Sequence, residues 1–302
     1  MIDVAELTNT VIDVKEQVKL KNKTWLGVGG AAEFYTEPKD TAELKQILKW
    51  AKASSLPVTI LGAGSNILIR DGGIEGLVIK LGKSFQSIRV EKNTLVCGAG
   101  SLLMNISKVA AEHNLSGFEF MVGIPGSLGG GFKTNAGAYG SDLAAVTIEM
   151  RVLDSHGTEH VIDPHQKKMF SYRHCHAPTD WIFVEATLKG KFQNDNVGIL
   201  KTMKEYTDKR KESQPQHVRT AGSTFKNPEG YSAWKLLDKA GFRGYTKNGA
   251  QFSEKHPNFL VNTGTANAKD LENLICEAQG KVYENTGIKL DCEIRFLGKD
   301  KA

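Results

Sequence analysis

Seven glycines fall within the 18 residues 123–140, GIPGSLGGGFKTNAGAYG, and this run limits what the chain can become more than any other stretch. Glycine reaches positive φ at no steric cost and lets backbone amides approach a ligand, while Pro125 stiffens the first bend and removes one donor. Successive amides of this kind can line a phosphate. Gly131-Phe132-Lys133-Thr134 interrupts the Gly-Lys-Ser/Thr pairing of a nucleotide P-loop, so no P-loop is expected. Taken alone, the run reads either as a structural loop or as a ligand cradle.

At 302 residues the chain is long for one core and suits two or three compact units. Its 39 basic and 34 acidic residues are intermixed, a mild bias that suits an anionic small molecule. The densest basic cluster is Lys209-Arg210-Lys211, with neither a basic stripe nor interleaved aromatics, so no nucleic-acid partner is expected. Cys97, Cys175, Cys276 and Cys292 are widely spaced; they read as reduced thiols, and no zinc or other metal is expected. The N-terminal stretch carries acids, and no apolar run reaches 18 residues, which predicts a cytoplasmic protein without a membrane partner. A monomer is expected.

Along the chain, residues 1–23 suggest a charged helix, and Asp40 or Thr41 can cap a helix burying Leu44, Ile47, Leu48 and Ala51. Two short apolar strands then enclose Gly62-Ala63-Gly64-Ser65-Asn66, and GLVIKL at 76–81 adds a third. A turn leading into a strand rather than a helix disfavours a Rossmann fold. SIRV and TLVC follow, and Ser101 is placed as the cap of a helix with Leu102, Leu103, Ile106, Val109 and Ala110 on one face. Past the glycine run, Val146, Ile148, Met150 and Val152 alternate as in a half-buried strand, and TEHVI and WIFVEATL add two more. A helix around 197–213 stops before Pro215, and a domain boundary is placed there. Beyond it lie a short helix at 233–240, the strand NFLVN, a helix burying Leu271, Leu274, Ile275, Ala278 and Val282, and the strand LDCEIRF. These expectations amount to an α+β protein divided at 1–82, 83–200 and 201–302.

Three places could carry chemistry. In the closing strand Leu290, Cys292, Ile294 and Phe296 share a face, so Asp291, Glu293 and Arg295 share the other, as a solvated face or as a carboxylate aimed into a cleft. Ser223 lies in AGSTFKNP without the G-x-S-x-G of a nucleophile elbow, so it is a turn serine or an accessible hydroxyl. Arg173, in SYRHCH, could clamp a carboxylate or line a surface. His174 and His176 lack a third ligand at useful spacing.

Six blocks in order closely resemble the UDP-N-acetylenolpyruvoylglucosamine reductases, flavoenzymes of bacterial peptidoglycan synthesis. They are LGAGSNILI at 61–69, the run at 123–140, SYR at 171–173, AGSTFKNP at 221–228, the NGAQ stretch with NFLVN, and DCEIRFLG at 291–298. The resemblance covers nearly the whole chain. It implies a vanillyl-alcohol-oxidase-like fold, with two α+β subdomains holding non-covalent FAD and a C-terminal substrate domain. The implied FAD contacts are Gly62, Gly64, Ser65, Asn66, Gly123, Ile124, Pro125, Gly126, Ser127, Gly129 and Gly130, with Asn135, Gly137 and Ala138 near the ring. By motif match Arg173, Ser223 and Glu293 fall on catalytic positions and Asn227 on a substrate contact; Lys211, outside the six blocks, is a candidate diphosphate contact. The implied reaction uses NADPH to reduce FAD, then hydride and a proton from Ser223 to reduce the enolpyruvyl group. Cys175 stands where relatives often have serine, Gly131-Phe132-Lys133 replaces a more apolar stretch, and a longer subgroup's substrate-covering insertion is missing. The alternatives are an oxidase or dehydrogenase of the same flavin fold and a non-catalytic nucleotide-binding module.

Overall fold

The computed structural model describes residues 13–301, so residues 1–12 of the expected N-terminal helix lie outside the described residues. The remainder of that segment is mainly extended: Val14–Lys19 is a strand beside Ala31–Thr36, and only the single 3₁₀ turn Lys21–Lys23 is helical. A short charged segment has weak intrinsic preference, and hydrogen bonds offered by a neighbouring strand override it. The chain divides into two compact units, one of residues 13–16, 34–63 and 76–209, the other of 17–33, 64–75 and 210–301. Mixed helices and strands in both give the α+β class that the sequence predicts.

In the first unit an antiparallel five-stranded sheet runs in the order Glu159–Ile162, Thr147–Leu153, Ile182–Lys189, Thr94–Gly98, Ile88–Glu91. Val58–Leu61 pairs in parallel with Ile74–Lys80 through Ile60↔Ile79 and Leu61↔Lys80. The helix Thr41–Ala53 starts where Asp40 accepts a hydrogen bond from the Glu43 amide at 2.8 Å, a cap worth about 1 kcal/mol. It buries Leu44, Ile47, Leu48 and Ala51, as the spacing predicts. The helix Leu103–Glu112 starts differently: Leu102 is its N-cap, and Ser101 is not a cap. Ser101 is buried and its hydroxyl donates to the Ser87 carbonyl, a partner that local sequence could not reveal. The alternation expected through Val146–Val152 breaks at Ile148, which is exposed, because the pairing with Ile182–Lys189 is irregular between Thr147 and Glu149.

In the second unit a four-stranded antiparallel sheet runs Arg219–Ser223, Phe259–Asn262, Ala250–Phe252, Thr246–Lys247. The helix Ala268–Thr286 is fixed at its start by a capping box, Asn267 with Asp270, and at its end by Gly287 at φ 72°. Its buried stripe, Ala268, Leu271, Leu274, Ile275, Ala278 and Val282, joins Phe225, Phe252 and Leu260 in one core. Each buried leucine or isoleucine of that stripe contributes about 1.5–3 kcal/mol. The closing strand is shorter than expected. Only Arg295–Leu297 is a strand, paired in parallel with Ile67–Ile69, and the backbone bends at Glu293 and Ile294. The two faces are only partly kept: Leu290 and Ile294 are buried and Asp291 and Arg295 exposed, but Cys292, Glu293 and Phe296 are all half-buried.

The strands flanking Gly62–Asn66 are not partners of each other. Val58–Leu61 belongs to the first unit, whereas Ile67–Ile69 pairs with Arg295–Leu297 in the second.

Candidate active site

In the first unit the glycine run folds as a bend at Gly126, φ 136°, followed by the one-and-a-half-turn helix Leu128–Lys133. Several of its amides are already used. Ile124 donates to Met121, Leu128 to Ser101 and Gly129 to Ala99, at 2.8–3.1 Å, and Pro125 has no donor. The run is therefore pinned to the segment 99–101, and a ligand must take its donors from the rest of it.

What the run lines is a cavity of about 270 Å³. Gly62, Ser127, Gly129 and Gly130 border it, together with Ile60, Lys80, Lys133, Trp181 and Phe183. Gly123, Ile124, Pro125, Gly126, Asn135, Gly137 and Ala138 do not border it, and Gly64, Ser65 and Asn66 lie in the second unit. At Gly62 an added Cβ would come within 2.8 Å of Ser127 Oγ, so a larger residue there would have to turn that hydroxyl aside. Lys133 bends over the ring of Phe183, 5.2 Å from its centroid, and donates to the Trp181 carbonyl. Phe132 is buried between Phe170 and Phe183, so the Phe-Lys pair packs one side chain inward and gives the other to the cavity. Sequence reasoning missed Lys80 and Trp181 as lining residues, because they come from separate strands and loops with no common motif.

Asn135 is buried and left-handed at φ 41°, and its amide is spent within the protein. It donates to Asp142 and to the Ser171 carbonyl and accepts from the Ala144 amide. Arg173 sits at the second position of the two-residue turn that joins Phe170–Ser171 to His174–Cys175, at φ 53°. Its guanidinium donates to the Gly137 carbonyl at 3.1 Å and lies over the Tyr172 ring. Cys175 is buried in the hydrophobic core. Among the described residues no group of three His, Cys, Asp or Glu is arranged to hold a metal, and His176 instead meets the Ser171 hydroxyl at 3.1 Å.

In the second unit Ser223 ends the strand Arg219–Ser223, half-buried, after an irregularity at left-handed Gly222. Thr224 and Phe225 are held from two sides. The Thr224 hydroxyl accepts from the Leu260 amide, and Asn258 both accepts from the Phe225 amide and donates to its carbonyl. On the other flank the Glu293 amide donates to the Thr224 carbonyl, and Phe225 bridges to Cys292. Asn66 donates through its side-chain amide to the Glu293 carbonyl, so this glycine-loop residue braces the Glu293 segment. Asn227 accepts from the Ala233 amide at the start of the helix Ala233–Lys239, leaving its NH₂ for a ligand. Lys211 is exposed on the helix Val197–Ser213.

The FAD-binding domain family matches residues 32–163, and the C-terminal domain of UDP-N-acetylenolpyruvoylglucosamine reductase matches residues 214–297. The UDP-N-acetylenolpyruvoylglucosamine reductase of Anaplasma marginale is 45% identical over 93% of this chain and 92% of its own length. The chain belongs to the UDP-N-acetylenolpyruvoylglucosamine reductase family. The reductase of Rickettsia typhi is likewise 45% identical, over 95% of this chain and 96% of its own. The crystal structure of the reductase from Thermus caldophilus superposes with a TM-score of 0.82 at 35% identity, covering 95% of this chain and all of that one.

For a reductase of this family the cavity can be tested against FAD. A flavin dinucleotide needs backbone that approaches a diphosphate closely, cations beside it, and flat apolar walls for its rings. Gly62 and Gly130 supply the bare backbone, Lys80 and Lys133 the charge, and Ile60, Trp181 and Phe183 the walls. At Gly130 an added Cβ would meet only Ser127 Oγ within 4 Å, so its backbone is laid open. These residues fit the group.

Proposed function

We propose that the protein reduces the enolpyruvyl group of UDP-N-acetylglucosamine-enolpyruvate to UDP-N-acetylmuramate, with non-covalent FAD as its cofactor and NADPH as its reductant. The observation that carries this reading is the hydrogen-bonded ladder joining the Ser223 and Glu293 segments, in a chain 45% identical to enzymes of that name.

When bound and reduced by NADPH, FAD would supply the hydride that the enolpyruvyl methylene carbon accepts. Charge then develops toward the substrate carboxylate, where the planar guanidinium of Arg173 holds it with paired hydrogen bonds and stabilises the enolate. Glu293 helps to polarise the same group in a protonated or hydrogen-bonded form. Ser223 delivers its proton to the carbon bearing the carboxylate, so the double bond becomes a saturated lactyl unit. A hydroxyl is a poor acid, and the basicity of an enolate makes the transfer feasible. Asn227 contacts the substrate, and Lys211 is the candidate contact to its diphosphate.

For the cofactor we assign Gly62, Gly64, Ser65 and Asn66, together with Gly123 to Ser127 and Gly129 to Gly130, to its diphosphate and ribityl. The backbone of Asn135, Gly137 and Ala138 serves the ring. Residues 1–82 and 83–200 serve FAD, and 201–302 the substrate. We place the enzyme in the cytoplasm as a monomer, where UDP-sugars and NADPH are supplied, with no nucleic-acid or membrane partner; among the described residues no helix is long and apolar enough to cross a membrane.

Purified protein should be yellow, should bleach with NADPH, and should turn over in air only when the enolpyruvyl sugar is added. Colourless protein would favour a nucleotide-binding module, and oxygen consumption without the sugar would favour an oxidase.

A further inference from the structure

Two hairpins of the first unit carry the surroundings of Arg173. Gly137–Ala138 pairs with Ser141–Asp142 across a two-residue turn, Tyr139-Gly140, whose residues both lie in the left-handed region at φ 55° and 81°. Such a turn ordinarily takes Asn-Gly or Gly-Gly, and a bulky tyrosine there is strained. The strain is held by specific contacts. The Tyr139 ring stacks on Tyr206 with centroids 3.9 Å apart and planes 8° from parallel, and its hydroxyl donates to the Tyr206 carbonyl at 2.8 Å.

Tyr206 lies on the helix Val197–Ser213, which buries only Ile199 and Met203 among its residues, packed with Ala111 and Val122. Residues 199, 203 and 206 follow one helical face, so the tyrosine stack extends a thin anchorage toward the helix's second half. At the base of the same hairpin the Gly137 carbonyl accepts from the Arg173 guanidinium. Asn135 ties the two hairpins together through Asp142 and the Ser171 carbonyl.

We propose that Tyr139 and Tyr206 are positioning residues for Arg173: their stack clasps the 137–142 hairpin to the helix and fixes the carbonyl that aims the guanidinium. The inference rests on the role given to Arg173 above. Neither ring needs to touch substrate; the clasp works through Gly137. Strain at Tyr139 is tolerated because a residue suited to the turn would leave the hairpin without its anchor.

The test uses the flavin-loaded enzyme and measures its two half-reactions apart by stopped flow. Tyr139→Gly suits the left-handed turn, so folding is not at stake and the melting temperature serves as the control. Flavin bleaching by NADPH should match wild type, while reoxidation by the enolpyruvyl sugar should slow by about 10- to 100-fold, the scale of a small misplacement of a reacting group. Tyr206→Ala should do the same, and Tyr206→Phe, which keeps the ring and the acceptor carbonyl, should restore the wild-type rate. Arg173→Lys should slow reoxidation on its own, and adding Tyr139→Gly to it should cost little more, since both act through one group. Wild-type reoxidation in Tyr139→Gly, or full additivity with Arg173→Lys, overturns the clasp. A loss in Tyr139→Gly without one in Tyr206→Ala also overturns it and makes Tyr139 a direct substrate contact. If Arg173→Lys reoxidises normally, the role of Arg173 fails and the clasp falls with it.

Discussion

The amide of Glu293 donates to the carbonyl of Thr224 at 2.8 Å. Two segments far apart in sequence, each carrying one proposed catalytic side chain, are thereby joined by backbone, and Asn258 braces the Thr224-Phe225 side of the joint. Backbone-to-backbone placement suits a proton donor, because it removes the segment's freedom before substrate arrives.

Ser223→Ala should leave flavin reduction by NADPH near the wild-type rate and slow reoxidation by substrate by roughly 10² to 10⁴, the usual contribution of a positioned proton donor. Ser223→Cys should recover part of that loss. Stopped-flow absorbance decides: normal reoxidation in a folded Ser223→Ala protein would remove the hydroxyl from the mechanism.

Gly126 holds φ 136°, a conformation a β-branched residue resists, and its carbonyl accepts from the Leu103 amide. Gly126→Val should therefore distort the run and yield protein depleted of flavin, read as the ratio of visible to ultraviolet absorbance. Full flavin content at normal affinity would place the cofactor's cradle elsewhere.

Asn258→Ala removes the side chain that satisfies both the amide and the carbonyl of buried Phe225. Each of the two orphaned buried groups costs about 1–3 kcal/mol, so the variant should lose about 2–6 kcal/mol. Urea unfolding of the second unit measures this, and an unchanged midpoint would show that water replaces the amide.

The Asp154 carboxyl is held down to about 2, first by the hydrogen bond with His160, then by the amides of Thr158 and His156. Its folded value lies below that of the unfolded chain, near 3.9, so the unfolded state binds more protons as pH falls between them. The contribution is present above about pH 4 and lost toward pH 2. Asp154→Asn should flatten the acid limb of the unfolding midpoint against pH, whereas an unaltered limb would assign acid sensitivity to other carboxylates.

Periodicity in the sequence was enough to place the helices Thr41–Ala53 and Ala268–Thr286 and their buried faces, because spacing along a helix is intrinsic to the chain. Residue identity left Arg173, Ser223 and Glu293 open between structural and chemical roles, and the six-block family resemblance is what put them forward as chemical candidates. Ser101, the strand Val14–Lys19 and the bend at Glu293 could not be read this way, since their conformations depend on partners distant in sequence. The same holds for the glycine run: its composition allowed an amide cradle, but Ala99 and Ser101 consume two of those amides. Nor does any local pattern announce that Tyr139 occupies a left-handed turn, where its ring stacks on Tyr206 and its hydroxyl reaches the Tyr206 carbonyl. A side chain's period is written in the chain, whereas the partner that satisfies a hydrogen bond or holds a strained turn exists only after folding.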